Sequence, residues 1–480
     1  MDALRNALTA FGDWLIGVVF TAVPIFGVQV NLIVLWLFAG MVFFTLRLGF
    51  LNLRGFGTAV SILRGRNYDA TAPGEMTPFQ ALSTALSGTV GLGNIAGVAI
   101  AIAMGGPGAA FWMVVVGFFA MSLKFAEVVL AVRYRTIDAS GRVSGGPMYY
   151  LSRGLAEKGL PRLGKVLGTL YAVFALVAFI QIVQVNQSYS QVSTVLGLEQ
   201  NTGAALGYGV LVAGLAALVL LGGAASLARI TSKLTPLMCG LYLAGAVAVL
   251  AVNAPAIPGA LGTILVQAFT PDAAVGGLVG AFVAGMRRAV FSNEAGIGAA
   301  SIAHAAARTR YPASEGFVAL LEPFIDTVIV CSATALVIVV TGVWQDGHTD
   351  IAMTSAAFGT VSSWFPVILA VAVCLFAFST ILAVGYYGLQ ICAYLFGPRP
   401  LIRRIYLTLF CLLLPLGTIA DVTTVLNIID SLFFLLSVPN LIGLYILSGV
   451  VASELRAFRE AGPFPPKIPT PSEESANGRG

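Results

Sequence analysis

The sequence predicts an all-α polytopic membrane protein of about eleven transmembrane helices, on three observations. Hydrophobic residues fill 58% of the 480 positions and charged residues only 10%. The mean hydropathy of +0.92 lies outside the range of soluble globular domains. Apolar runs of about 20 residues recur along the chain, each long enough to cross a hydrocarbon core of roughly 30 Å. Lys and Arg fall almost wholly in every second loop, as in membrane proteins with basic cytoplasmic loops.

The predicted spans lie near 28–48, 80–105, 109–132, 167–195, 205–222, 233–252, 274–292, 316–342, 364–394, 404–420 and 425–450. Basic residues follow the first span (Arg47, Arg54, Arg64, Arg66), the third (Arg133 to Lys165), the fifth (Arg229, Lys233), the seventh (Arg287, Arg288, Arg308, Arg310), the ninth (Arg399, Arg403, Arg404) and the last. The alternate loops 253–272, 343–362 and 421–424 hold Asp272, Asp346, Asp350 and Asp421 but no Lys or Arg; Arg5 and Lys124 alone break the pattern. This places the N-terminus outside and the C-terminus in the cytoplasm, with a bacterial inner membrane as the expected location. Trp14–Val23 follows Asp13 and is cut by Pro24. It reads as an interfacial helix rather than a cleaved leader.

The stretch Ser83–Gly108 is apolar, yet sets Gly88, Gly91, Gly93 and Gly97 around Asn94. Each glycine weakens a helix by about 1 kcal/mol relative to alanine. Irregular backbone at membrane depth is tolerated only where protein or a water-filled cavity satisfies it. A second glycine-rich span, Val275–Gly298, opens a second set of five helices that would cross in the opposite sense. Two five-span units of inverted topology, each led by a broken helix, are a transporter signature. The expected organisation is therefore an N-terminal segment with one extra span (1–79), a first repeat (80–252), a second repeat (253–452) and a disordered Pro-, Ser- and Glu-rich tail (453–480).

Cys239, Cys331, Cys374, Cys392 and Cys411 all sit in apolar runs without CxxC pairing, and His304 and His348 lie far apart. Neither a disulfide framework nor a His-based metal site is expected. No HExxH, GxSxG or cofactor motif supports an enzyme, and a net charge of +5 gives no ground for nucleic acid as a partner.

Six segments carry a recognisable resemblance: GTVGLGNIAGVAIAIAMGGPGAAFWM from Gly88, KFAEVVLAVRYR (Lys124–Arg135), GGPMYY (Gly145–Tyr150), FSNEAGIGAASIAHAAA (Phe291–Ala307), FIDT (Phe324–Thr327) and FAFSTIL (Phe376–Leu382). In this order they closely resemble the alanine or glycine:cation symporter family, from about Thr77 to beyond Tyr387. The resemblance implies a leucine-transporter-type core, no cofactor beyond a coupling sodium ion, and symport of a small neutral amino acid into the cell by a monomer in the lipid bilayer. A proton-coupled carrier of the same fold is the alternative; it would want a carboxylate or Lys where this chain has Ser379 and Thr380. Two departures bear on substrate choice. Members often read GIGN…VQANS in the third core helix, where this chain reads AFIQIVQVNQS, and they often carry a tryptophan where this chain has Val384.

By that similarity the carbonyls of Ser87, Val90 and Phe376 and the hydroxyls of Ser379 and Thr380 form a sodium site. Adjacent Ser and Thr in a membrane helix otherwise simply bond back to the helix. The amides of Gly91 and Gly93, with the Thr89 hydroxyl, are expected to hold the substrate carboxylate. Asn94 either holds the break or coordinates the cation. Gln181, Gln184 and Asn186 are costly in lipid and expected to face the interior, although their spacing forbids all three from lining one pocket. Phe282 and Gly285 are candidates for a lid and a backbone contact, and Val384, one turn after Thr380, should face the same cavity. Lys124 and Glu127 are one turn apart and placed to pair, and Glu322 and Asp326 are also one turn apart. Arg287, Arg288 and Glu294 lie near the cytoplasmic end of the second broken helix. All are expected to serve in structural or gating ion pairs rather than in substrate contact.

Overall fold

Helices follow one another through nearly all of the computed structural model, which describes residues 2–25, 28–66, 68–139, 141–197, 201–270, 277–419 and 423–462. The named strands among them form two short antiparallel hairpins, Ala22–Ile25 with Val28–Asn31 and Thr136–Ile137 with Val143–Ser144. Eight described helices are long and apolar enough to cross a bilayer, and nine if the bent pair Pro78–Thr89 and Leu92–Gly105 is one span. The chain is thus a multi-pass membrane protein.

Several predicted boundaries move. The first span shortens to Leu32–Arg47 because the hairpin takes the residues before it. The span drawn at 167–195 starts earlier, at Pro161, and is interrupted at Phe179–Gln181 between the helices Pro161–Ala178 and Ile182–Leu196. Two expected loops contain helices, Ile257–Phe269 and Asp350–Gly359. The expected tail is helical at its start, within Ser448–Glu460; Asp272, Asp421 and residues 463–480 lie outside the described residues.

Local chemistry explains the best-defined helix start. Thr77 caps Pro78–Thr89 by accepting from the Gln80 amide at 3.2 Å, and Gln80 Oε1 accepts from the Thr77 amide at 2.9 Å. Pro78 occupies the first turn, where no amide is needed. Glycines then let helices approach closely. A Cβ on Gly285 would stand 2.4 Å from the Ala109 carbonyl, and one on Gly117 would stand 2.8 Å from Thr327 Cγ2, so Gly108–Arg133 beds against two partners at once.

The buried charges do not pair as expected along the sequence. Lys124 Nζ donates to Glu322 Oε1 at 3.0 Å, not to Glu127, and both side chains are wholly buried. Glu322 is followed at 3.6 Å by His304 Nε2, whose Nδ1 meets Glu315 Oε1 at 2.7 Å. Arg287 lies over the Phe20 ring at 4.5 Å and Arg288 over Phe291 at 6.0 Å; among the described residues neither bridges to Glu294. Three or four residues' separation puts side chains on one helix face, but Lys124, Glu127, Glu322 and Asp326 are each met by a group from another segment.

Removing one partner of a buried pair strands the other charge, at a cost of about 3–5 kcal/mol. Glu322→Leu is therefore expected to lower stability by about that much in detergent thermal unfolding. The double variant Lys124→Met/Glu322→Leu should recover part of the loss. A double variant less stable than the single would contradict the pairing.

Candidate substrate and cation site

The first break is held by its own asparagine. Helix Pro78–Thr89 ends at Val90, whose backbone is extended, as is that of Gly91. A single 3-10 turn, Leu92–Asn94, leads into Ala96–Gly105, bent by 65° from the first half. Asn94 Oδ1 accepts from the Gly91 amide at 2.9 Å. Its Nδ2 donates to Asp326 Oδ1 at 2.7 Å, to the Asp326 carbonyl at 3.1 Å and to Ser292 Oγ at 3.0 Å. Asp326 Oδ2 accepts in turn from Ser292 Oγ at 2.6 Å and from Thr327 Oγ1 at 2.8 Å. Every member of this network is wholly buried.

Asp326 reaches both breaks because Phe324–Cys331 is a π-helical stretch within Pro312–Thr341. Its i→i+5 repeat brings Asp326 and Cys331 to one face, and Cys331 Sγ stands 3.4 Å from Asn94 Nδ2.

The second break follows Gly277–Asn293, three turns beyond Gly285. Glu294 (φ 55°), Gly296 (φ 89°) and Gly298 (φ 86°) take left-handed backbone conformations, which only the glycines adopt freely. Asn293 Oδ1 accepts from the Ala295 amide at 3.0 Å. Glu127 Oε1 accepts at 2.9 Å from both the Gly296 amide and Asn440 Nδ2, while Asn440 Nδ2 donates to the Gly296 carbonyl at 2.8 Å. Tyr150 donates to Asn440 Oδ1.

A cavity of about 320 Å³ lies between the breaks. Its buried floor is formed by Gly88, Thr89, Gly91, Glu294, Thr380 and Val384, and it reaches the surface beside exposed Asn427. The interruption at Phe179–Gln181 contributes all three of its residues to the wall. Gln181 and Gln184 line the cavity, each with a buried Oε1 that has no partner. Gly93 also lines it; the Leu92 and Gly93 amides have no recorded acceptor among the described residues.

The other predicted contacts lie elsewhere. Asn186 Nδ2 donates to the Gly417 carbonyl at 2.8 Å and ties two helices together. Phe282 packs edge-on against Trp112 and Phe38, and Gly285 is spent on packing against Ala109. The Gly91 amide is occupied by Asn94, and the Thr89 hydroxyl bonds back to Ala85 at 3.3 Å.

The residues assigned to a cation meet where Pro78–Thr89 crosses Pro366–Phe396. Ser87 Oγ donates to the Ser379 carbonyl at 2.8 Å and Ser379 Oγ to the Ser87 carbonyl at 3.2 Å. Ser379 and Thr380 also bond back to the Phe376 carbonyl at 2.9 and 3.0 Å. Thr380 Oγ1 would lie 2.9 Å from a Cβ on Gly91. Hydroxyl and carbonyl oxygens from two helices thus converge beneath the cavity, the donor set a hard monovalent cation requires. Asn94 stands apart from this cluster, its carboxamide fully engaged in holding the break.

Residues 73–77 and 305–309, which flank the broken regions, are strapped together. Met76 and Ala307 form a parallel bridge. Arg135 donates to the carbonyls of Ala305, Ala307, Pro73 and Thr309 at 2.6–2.8 Å. Arg310 Nε meets Asp69 Oδ2 at 2.9 Å. The Thr71 hydroxyl and then Arg310 hold the Asp69 carboxyl down at about 2. Its contribution is therefore fully present above the ordinary carboxylate range of about 4 and lost only as pH falls through about 2. Twelve residues of helix, about 18 Å at 1.5 Å each, separate this closure from the cavity floor.

Residues 15–463 match the model of the sodium:alanine symporter family. The chain belongs to that family. It is 41% identical over 427 residues to the sodium/alanine symporter AgcS of Methanococcus maripaludis, covering 87% of this chain and 92% of the relative. It is 33% identical over 443 residues to the probable sodium/glutamine symporter GlnT of Bacillus subtilis, covering 90% and 89%. Among solved structures, MhsT in complex with L-phenylalanine superposes with a TM-score of 0.53 at 17% identity, covering 77% of this chain and 87% of that one. This likeness shows a leucine-transporter-type fold. Membership establishes the symporter as an amino-acid transport protein.

At the level of sequence Glu127 and Asp326 are named only as members of ion pairs, and Asn440 is not named. Glu127 and Asn440 hold the second break, and Asp326 joins the two. Each is a polar residue inside an apolar span, but their partners lie 144–313 residues away, apart from Ser292, 34 residues from Asp326, and its neighbour Thr327.

Gly93 faces the second broken helix: a Cβ there would lie 3.7 Å from both Phe291 Cδ1 and Ser292 Cα. A Cβ there is in ordinary contact, and the further carbons of leucine would compete with a solute in the cavity that Gly93 lines. Gly93→Leu is expected to abolish alanine binding, measured by equilibrium binding on purified protein, while membrane insertion remains normal. Wild-type binding in this variant would remove Gly93 from the site.

Proposed function

We propose that this chain carries a small neutral amino acid into the cell together with sodium, by alternating access. The observation that carries the reading is the cavity itself, floored by buried residues of the first break and walled by three interruptions of helical backbone. Unwound segments offer amides and carbonyls that a zwitterion can use, at a depth where lipid offers none.

The substrate carboxylate meets the Leu92 and Gly93 amides, and its side chain points toward Gln181, Gln184 and Val384. Sodium takes the carbonyls of Ser87, Val90 and Phe376 and the hydroxyls of Ser379 and Thr380, whose present bonds to carbonyls it would replace. With an isopropyl group at Val384 the pocket admits side chains beyond that of alanine, including glutamine; relatives named for each of these two substrates support that range. The core is a pair of inverted five-span repeats behind one extra span, eleven spans in all. The N-terminus lies outside, the C-terminus in the cytoplasm of a bacterial cell, and the monomer is the working unit. The strap of residues 73–77 and 305–309 is then the cytoplasmic closure.

Uptake of labelled alanine and glutamine into proteoliposomes tests the reading directly. An inward sodium gradient should drive accumulation of both, and uptake that ignores sodium would reject it. Loss of one hydroxyl ligand is worth about 1.4 kcal/mol, or tenfold in affinity. Thr380→Ala should therefore raise the sodium concentration for half-maximal uptake about tenfold while its thermal unfolding stays close to wild type. An unchanged sodium response would remove Thr380 from the cation site.

A further inference from the structure

We propose that the carboxylate of Glu294 is the counter-charge for the substrate's ammonium group, so that the cavity selects solutes carrying a protonated primary amine; this rests on the amino-acid reading above. Glu294 is the first residue beyond Gly277–Asn293 and lines the cavity floor together with Gly88 and Thr89 of the first break. It is 8% exposed, and its Oε2 is buried without a partner.

Four other acids buried around the breaks each have at least one carboxylate oxygen engaged by a protein donor. Asp326 accepts from Asn94, Ser292 and Thr327, Glu127 from Gly296 and Asn440, Glu322 from Lys124, and Glu315 from His304. Glu294, by contrast, makes no side-chain hydrogen bond or ion pair among the described residues. An ionised carboxylate in a poorly hydrated floor is costly unless a cation or strong donors reach it. Its backbone adds to the case. Glu294 is one of three non-glycine residues with positive φ among those described, and a second, Asp350, lines the same cavity with an unpartnered Oδ1. Such conformations cost of order 1–3 kcal/mol and cluster at ligand sites. A glycine would suit position 294 better, yet the position carries an acid.

Charge balance points the same way. The cavity is lined by three carboxylates, Glu294, Asp350 and Asp430, against the single guanidinium of Arg288. A neutral amino acid enters this acidic cavity with its ammonium toward the buried acid and its carboxylate toward the free amides of the first break.

The test uses the full-length protein and two probes, alanine and lactate, which differ by an ammonium group in place of a hydroxyl. Wild type is expected to prefer alanine to lactate strongly. In Glu294→Gln, which keeps size and hydrogen bonding, that preference should fall at least tenfold while the sodium dependence of alanine binding is unchanged. Glu294→Gly, which relieves the backbone, should lose the preference equally while unfolding no earlier than wild type. A purely structural role would weaken both probes together and leave the ratio standing. A preserved alanine-to-lactate ratio in Glu294→Gln would overturn the proposal, as would a change in sodium dependence with the ratio intact. A wild type that binds no amino acid would remove the transport reading, and this proposal with it.

Discussion

The contact on which the rest of the structure depends is the three-way junction of Asn94, Ser292 and Asp326. Two unwound segments at membrane depth are affordable only if their polar groups find partners. One carboxylate, presented by a π-helical turn, supplies both. Asn94 spends its oxygen on the Gly91 amide and its nitrogen on Asp326; Ser292 takes the other carboxylate oxygen. Neither break can then change shape without disturbing the other. That is what coupling a cation beneath the first break to a solute between the two would need.

Around this junction the buried acids divide by task. Glu127 works as a clamp on backbone, with Asn440 and Tyr150 behind it. Glu322 and Glu315 sit in a ladder with Lys124 and His304 that fixes the chain after the second break. Arg135 does the same for backbone carbonyls at the strap, where a planar guanidinium can reach four oxygens that a lysine could not. Glu294 stands outside this scheme. Each acid of that scheme has at least one carboxylate oxygen engaged by a protein donor, whereas among the described residues neither oxygen of Glu294 is engaged, and it stands open toward the cavity.

The parts of the fold and site that the sequence revealed were those written in local pattern. Apolar length marked the spans, and glycines around Asn94 marked the first break. Thr380 and Val384, one turn apart, do line one cavity, and so do Gln181 and Gln184. Failures came where a residue type has two uses. Gly285, expected to offer a backbone contact in the second broken span, serves close packing on Ala109, and the break falls at Glu294 to Gly298, where left-handed backbone demands Gly296 and Gly298. Asn186, the third of the polar residues Gln181, Gln184 and Asn186, binds a neighbouring helix instead of the cavity. The π-turn leaves no mark in a 3.6-residue pattern, so the approach of Asp326 to Asn94 had no sequence signal. Lys124 found Glu322 across 198 positions in preference to an acid one turn away.

The central claim is that Asp326 makes the two breaks one mechanical unit, and hydrogen exchange tests it most directly. In Asp326→Asn the shape of the side chain is kept and its acceptor strength halved. Amide exchange should quicken at both breaks together, near Gly91–Ile95 and near Ala295–Gly298, while the helix Pro400–Gly417 exchanges as in wild type. Faster exchange at one break with the other unchanged would contradict the claim.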